Sequence, residues 1–162
     1  MKHTNKILLF LISSIIFIAI DWQTKLWAKK NLFYMRSQSF LDGKFKLDYA
    51  ENKGAALSFG SKLPENQAFL VLQILPTFIL IVLLIYVFNN LKNWNNLALV
   101  SFSAIFSGGT ANLVDRFLNK RHVIDFMILE WGWLHTGIFN FADVFISMGV
   151  LGLLVTGLFT KK

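Results

Sequence analysis

The chemistry of this chain is carried by carboxylates. Five aspartates lie in or beside long apolar runs: Asp21, Asp115, Asp125, Asp143 and, more loosely, Asp48. A carboxylate at the centre of a bilayer costs about 2.5–3.5 kcal/mol on insertion scales, so such residues have a task or a partner. Asp21 has Lys25 at i+4, the favoured order for a helical ion pair, and Asp115 has Arg116 beside it with Asn112 one turn back. Asp125, in "HVIDF", and Asp143, in "FNFAD", have no cation at helical spacing. They stand eighteen residues apart, just before and just after a Trp-rich loop. A hairpin-like return of that loop brings both to one spot.

Two carboxylates in a low-dielectric site do not readily both ionise; one pKa rises and the pair shares a proton near neutral pH. This is the aspartic-protease arrangement. One Asp takes a proton from a water attacking a peptide carbonyl, while the protonated Asp donates to the carbonyl oxygen and later to the leaving amine. It needs no metal, no cofactor and no covalent nucleophile. His3, His122 and His135 lack the spacing of a metal site. Ser101, Ser103 and Ser107 have no basic partner, and Gly108-Gly109 lacks the Lys and Ser/Thr of a phosphate-binding loop. From spacing alone each acid keeps a second reading, Asp143 as a helix N-terminal acid complementing the dipole and Asp125 as a solvated loop acid.

The elements that position these residues are membrane elements. The 162 residues are 55% hydrophobic and only 15% charged, against about 25% charged in soluble domains, too little polar surface to face water. Four apolar segments, at about 7–28, 68–88, 97–118 and 139–159, each approach the ~20 residues a helix needs to cross the hydrocarbon, and unpaired backbone is too costly in lipid for anything but helices there. Lys2 and Lys6 ahead of an apolar run imitate a signal peptide, but no small-residue cleavage site follows and the first helix is expected to be retained. Pro76, with Gln73 one turn earlier, predicts a kink in the second helix. Ser101, Ser103, Ser107, Gly108 and Gly109 predict a closely packed, central third helix.

Two long segments, about 29–66 and 119–138, fall on one side of the membrane. In "FLDGKFKLDY" the Asp42-Gly43 pair is a turn signal, and Phe45, Leu47 and Tyr49 alternate with polar residues as a strand does. The segment "HVIDFMILEWGWLH" is too apolar for a solvated loop, and its Trp residues favour the interface. All nine acidic residues lie on this side, with eleven of the sixteen cations. A count of Lys and Arg alone would put these loops in the cytoplasm, yet six of the eleven lie between Lys30 and Lys62, part of them in the expected sheet. The charge rule therefore leaves orientation open. The net charge of +7 is spread over short flanks, which suits a lipid surface and not nucleic acid. There is no cysteine, which excludes disulfides and thiolate chemistry.

Taken in order, "DWQTK" (Asp21–Lys25), "NKGAALSF" (Asn52–Phe59), "GGTANLVDR" (Gly108–Arg116), "HVIDF" (His122–Phe126) and "FNFAD" (Phe139–Asp143) resemble the bacterial lipoprotein signal peptidases, or signal peptidase II. The resemblance covers nearly the whole chain. It implies one all-α integral membrane domain over 1–162, a four-transmembrane-helix bundle with a small extramembrane β-sheet and loop helix on the active-site side. The implied activity is that of an intramembrane aspartyl endopeptidase that removes signal peptides from diacylglyceryl-modified prolipoproteins just before the lipidated cysteine. Its catalytic pair falls on Asp125 and Asp143, and its supporting residues on Asp21, Lys25, Asn52, Gly54, Asn112, Asp115, Arg116, Asn140 and Ala142. It further implies cytoplasmic termini, an active site near the outer face of the bacterial inner membrane, membrane lipid as surroundings and no cofactor; a monomer is expected. Ala111 and Leu57 depart from the family pattern, conservatively in size, so slight changes in packing are expected and no loss of chemistry. Asn112, Arg116 and Asn140 are expected to hold the substrate backbone by hydrogen bonds.

Intramembrane acids also suit a small transporter or proton conductor, but that class predicts internal repeats and none is seen. A silent member that binds lipopeptide without cutting is disfavoured only by the presence of both aspartates.

Overall fold

A computed structural model describes residues 2–35, 37–55 and 59–159. Helix α1 spans His3–Leu32, β1 Gln38–Phe40, β2 Phe45–Asn52, α2 Glu65–Asn89, α3 Asn96–Leu118, β3 Val123–Trp131, β4 Leu134–His135 and α4 Phe141–Phe159. By length and composition α1, α2 and α3 can each cross a membrane, and α4 is apolar over Phe141–Gly157. The outward surface is correspondingly greasy, with Ile12, Ile15, Phe78, Ile85, Val150 and Leu154 all exposed. In lipid these positions need no cover.

Polar and small residues mark what faces inward. In α1 the buried positions Phe10, Ser14, Asp21, Lys25, Ala28 and Leu32 fall on one helical stripe. Helix α3 is the centre, packed on α1, α2 and α4. Its Gly108 abuts the Ala142 carbonyl at the start of α4, so closely that no side chain fits between them. Ala111, the departure in this helix, is buried there; Leu57 lies outside the described residues. Ahead of Pro76, α2 widens into a π-helical turn over Leu70–Ile74, since proline lacks an N–H and its ring displaces the carbonyl one turn back.

The four strands form one antiparallel sheet in the order β1-β2-β3-β4. Phe45, Leu47 and Tyr49 of β2 pack with Phe126 and Met127 of β3 on Ala28 and Leu32 of α1, which seats the sheet on the end of that helix. The turn announced by Asp42-Gly43 is centred one residue earlier, with Leu41 and Asp42 both at positive φ (52° and 53°). The expected loop helix is absent among the described residues. Within 119–138 the chain forms strands β3 and β4; Val123–Met127 is a continuous buried run that pairs with β2 on one edge and with Phe139 on the other.

Candidate active site

The loop between the two unpaired aspartates makes the expected return. From β3 the chain turns at Gly132 into β4, and Phe139 then pairs back onto Met127, with hydrogen bonds of 2.9 Å in both directions. This lays the start of α4 beside the middle of β3. Asn140 is the residue at the junction. Its Oδ1 accepts from the Asp143 N–H at 3.1 Å, while Asp143 Oδ2 accepts from the Asn140 N–H at 3.2 Å. This is a reciprocal capping box, satisfying two otherwise orphaned donors of the helix start. Asp143 is thus a helix N-terminal acid as well as a site residue.

The same Asn140 serves the other carboxylate. Its Nδ2 donates to Asp125 Oδ1 at 2.6 Å, and Asn52 Nδ2 donates to Asp125 Oδ2 at 2.9 Å. Asn112 of α3 donates from Nδ2 to Asp143 Oδ1 at 2.9 Å. Each carboxylate therefore holds two N–H donors. Burial pushes Asp125 up to about 7, the negative charge of Asp143 adds to the rise, and the Asn52 and Asn140 donors oppose it.

Beneath the pair lies a buried charge cluster that crosses helices. Lys25 Nζ meets Asp21 at 2.7 Å, Asp115 at 2.8 Å and the Asn112 Oδ1 at 2.9 Å. Its ammonium thus sits among three groups from two helices. The Lys25 contact also fixes the Asn112 amide so that its NH2 end points at Asp143. Asp21 accepts the Ala142 N–H at 2.8 Å, tying the first turn of α4 to α1. The expected neighbour pair Asp115/Arg116 is not formed: adjacent residues on a helix point about 100° apart. Asp115 instead pairs with Lys25, and Arg116 Nη2 donates to the Gly54 carbonyl at 2.6 Å. Gly54 in turn donates its N–H to Asn52 Oδ1 at 2.8 Å, orienting that amide toward Asp125. Asp48 stands apart, accepting only its neighbour's N–H from Tyr49.

Both carboxylates line a cavity of about 840 Å³. Asn52, Asn112, Arg116, Thr136 and Ser147 add polar groups, and its walls are mostly apolar: Val71, Leu75 and Pro76 of α2 face Ile146, Met148 and Leu151 of α4. Helices α2 and α4 both pack on α3 and leave this gap between them. The wall residues escaped the sequence reading, since cleft-facing and lipid-facing positions of an apolar helix have the same composition; the Pro76 kink was their only sign. Asn140, fully buried, and Asn112 are engaged with the carboxylates. The described residues hold no cluster of metal-ligating side chains.

The chain has relatives among known proteins. The family described as Signal peptidase (SPase) II matches residues 13–159. The lipoprotein signal peptidase of Geobacter metallireducens is 35% identical over 88% of this chain and 85% of that protein. That of Borrelia turicatae is 32% identical over 94% and 93%. A solved bacterial membrane enzyme, determined by the in meso method at 2.3 Å resolution, superimposes with a TM-score of 0.77 at 25% identity, covering 92% of this chain and 87% of that one. The helices, these relatives and that neighbour make this a multi-pass bacterial membrane protein, and the chain belongs to the signal peptidase II family.

Proposed function

We propose that the chain is an aspartyl endopeptidase that cleaves the signal peptide from diacylglyceryl-modified prolipoproteins immediately before the lipidated cysteine, with Asp125 and Asp143 as its catalytic pair. The observation that carries this reading is one buried residue, Asn140, that donates from its side-chain amide to the Asp125 carboxylate and from its backbone N–H to the Asp143 carboxylate at the polar end of an apolar cleft. With Asp125 near 7 beside a second carboxylate, the pair titrates as a unit and holds one proton at neutral pH. A water between them loses a proton to the ionised Asp as its oxygen attacks the scissile carbonyl, whose oxygen receives the other proton. The amine then leaves with a proton returned from the pair, and the peptide bond has been exchanged for acid and amine.

The apolar walls on α2 and α4 suit a substrate arriving sideways from the bilayer, its acyl chains remaining in lipid while the signal helix lies in the gap. Asn112, Asn140, Asn52 and Lys25 position the pair, and Arg116 holds the Gly54 backbone at its rim. Asp125 on a strand and Asp143 in a first helical turn support a site at the membrane surface. We place that surface on the outer face of the cytoplasmic membrane, with both termini cytoplasmic, and take the working unit as a monomer. Incubating purified protein with a diacylated prolipoprotein tests the assignment. Asp125→Asn and Asp143→Asn are each expected to abolish cleavage, a loss beyond the ~10²–10⁴-fold of a single acid–base group. Cleavage retained by either variant would sink the dyad. Activity is expected to survive EDTA, and its loss there with recovery on adding zinc would overturn a metal-free mechanism.

A further inference from the structure

The sheet has two ends. One, where Asn52 pairs with Val123, adjoins the site. At the other, two hairpin tips lie side by side. Phe45 pairs with Phe40 on one side and Leu129 on the other, and two residues further along β3 Trp131 pairs with Leu134. Glu130 donates its N–H to the Lys44 carbonyl at 2.9 Å, and the Lys44 ammonium lies 4.8 Å from the Trp131 ring centre. The tips therefore form one surface.

That surface is apolar and open. Leu41 is 73% exposed, Trp131 67% and Trp133 94%. The first tip is also strained: Leu41 and Asp42 both take left-handed φ, and Gly43 donates its N–H to the Phe40 carbonyl at 3.1 Å. This is the pattern of a type I′ turn, whose central positions favour Asn and Gly. A leucine there accepts an unfavourable backbone conformation and gains no burial within the protein. Water outside would favour a polar residue at that place.

We propose that the two tips insert into the boundary between headgroups and acyl chains, so that the bilayer interface is the partner of the sheet's far end. The apolar surface continues from the end of a membrane-spanning helix, where Phe33, Tyr34 and Met35 are exposed and the Phe33 ring sits 5.0 Å from Tyr49 of β2. Trp favours this boundary. Lys44 beside the tips, and Lys29 and Lys30 in the last turn of α1, carry charge on flexible stems that reach phosphates while their carbons stay in the apolar layer. Strands β2 and β3 run from the tips to Asn52 and Asp125, so docking one end of the sheet sets the height of the other. The inference rests on the membrane-spanning bundle and not on the peptidase reading.

The chain has no cysteine, so single labels are clean. Leu41→Cys, Trp133→Cys and, as an exposed control, Lys53→Cys are spin-labelled and placed in nanodiscs of phosphatidylethanolamine and phosphatidylglycerol. The ratio of collision with oxygen to collision with a water-soluble nickel chelate is expected to be severalfold higher at 41 and 133 than at 53. Ratios at 41 and 133 equal to that at 53 would overturn the proposal. So would dipolar broadening between two molecules at either position, which would show a second copy covering the tips. The labels report docking whether or not the protein cleaves, so failure here is distinct from failure of the proposed activity.

Discussion

At the end of the bundle where α1 begins and α4 finishes, Phe10, Val87, Leu91, Ala98, Leu99 and Phe102 fill the space between helices, and the Trp94 ring lies 4.9 Å from Phe102. At the opposite end the same helices bury Asp21, Lys25, Asp115 and Arg116. The first kind of contact is undemanding, because lipid surrounds the bundle and an apolar side chain is about as well solvated outside it as inside. The second is demanding, because each charge needs a partner or it opposes folding. A chain that needed only to span the membrane would be built like the first end throughout. The second end is retained because the carboxylates at its surface must be held by donors that do not move.

The sharpest way to break this comparison is to remove the cation on which the polar end converges. Lys25→Met leaves Asp21 and Asp115 buried without their counter-charge and frees the Asn112 amide to turn. We expect a loss of about 3–5 kcal/mol in stability together with loss of cleavage, measured as the unfolding midpoint and the turnover of a diacylated prolipoprotein. A variant that keeps its midpoint would mean that the polar end does not depend on this cation.

Asn140→Ala probes the polar end more gently. It removes the N-cap, worth about 1 kcal/mol, and one of the donors that hold Asp125 below where burial alone would put it. A donor favours the charged form, so its loss raises Asp125 further above its present value near 7. Cleavage needs one ionised and one protonated carboxylate, and Asp125, which titrates beside the Asp143 charge, is the proton holder; the alkaline limb of the pH–rate profile is expected to move to higher pH, while loss of positioning lowers turnover about 10²-fold. An unmoved limb would separate Asn140 from the titrating pair. The same shift makes a stability prediction. A carboxyl raised from its ordinary value of 3.8 to about 7 favours folding below pH 4, and that contribution is lost as pH rises through 7, a change on the order of 4 kcal/mol. Asp125→Asn removes the titrating proton, so this variant is expected to be more stable than the parent at pH 8 and to lose the pH dependence.

Much of the polar end is legible in the chain. Asp21 and Lys25 announce themselves by i,i+4 spacing. Asn140-x-x-Asp143 is readable as a capping box, and Asp125 and Asp143 stand out by having apolar neighbours and no cation. What spacing does not contain is contact between helices. That Lys25 reaches Asp115, or that Arg116 turns from Asp115 to the Gly54 carbonyl, depends on how α1 and α3 cross, and side chains of one composition permit many crossings. Strand β2 shows its alternation because one face is covered. Strand β3 hides, since Val123–Met127 is buried on both faces and, Asp125 apart, reads as an apolar run without alternation. The assignment of roles to Asn52 and Gly54 came from resemblance to a family and not from their types.

The apolar end is sharpened by Phe10→Ala. The ring meets Phe88 at 5.5 Å and Phe106 at 5.8 Å. In a soluble core such a truncation costs about 3–5 kcal/mol. Here the transfer component largely vanishes, since the helix stays in lipid whether or not it packs, and about 1–2 kcal/mol of lost packing is expected. Turnover should be unchanged. A fall in turnover as large as that of Asn140→Ala would show that the two ends are coupled.

The smallest effect is expected where a lysine–carboxylate pair faces water. Lys46 meets Glu130 at 2.5 Å across β2 and β3, with His135 at 3.3 Å from the same carboxylate. The Lys46 hydrogen bond holds the Glu130 carboxyl below its usual range, yet Glu130 is open to solvent, and an exposed pair contributes little once water screens it and side-chain entropy opposes it. Lys46→Met is expected to leave both the unfolding midpoint and turnover unchanged. Each is a lysine–carboxylate pair, so the difference in outcome between the two variants reports burial together with the further partners, Asp115 and Asn112, that Lys25 holds. A drop in midpoint as large as that of Phe10→Ala would place this face of the sheet out of water and remove the contrast between the pairs.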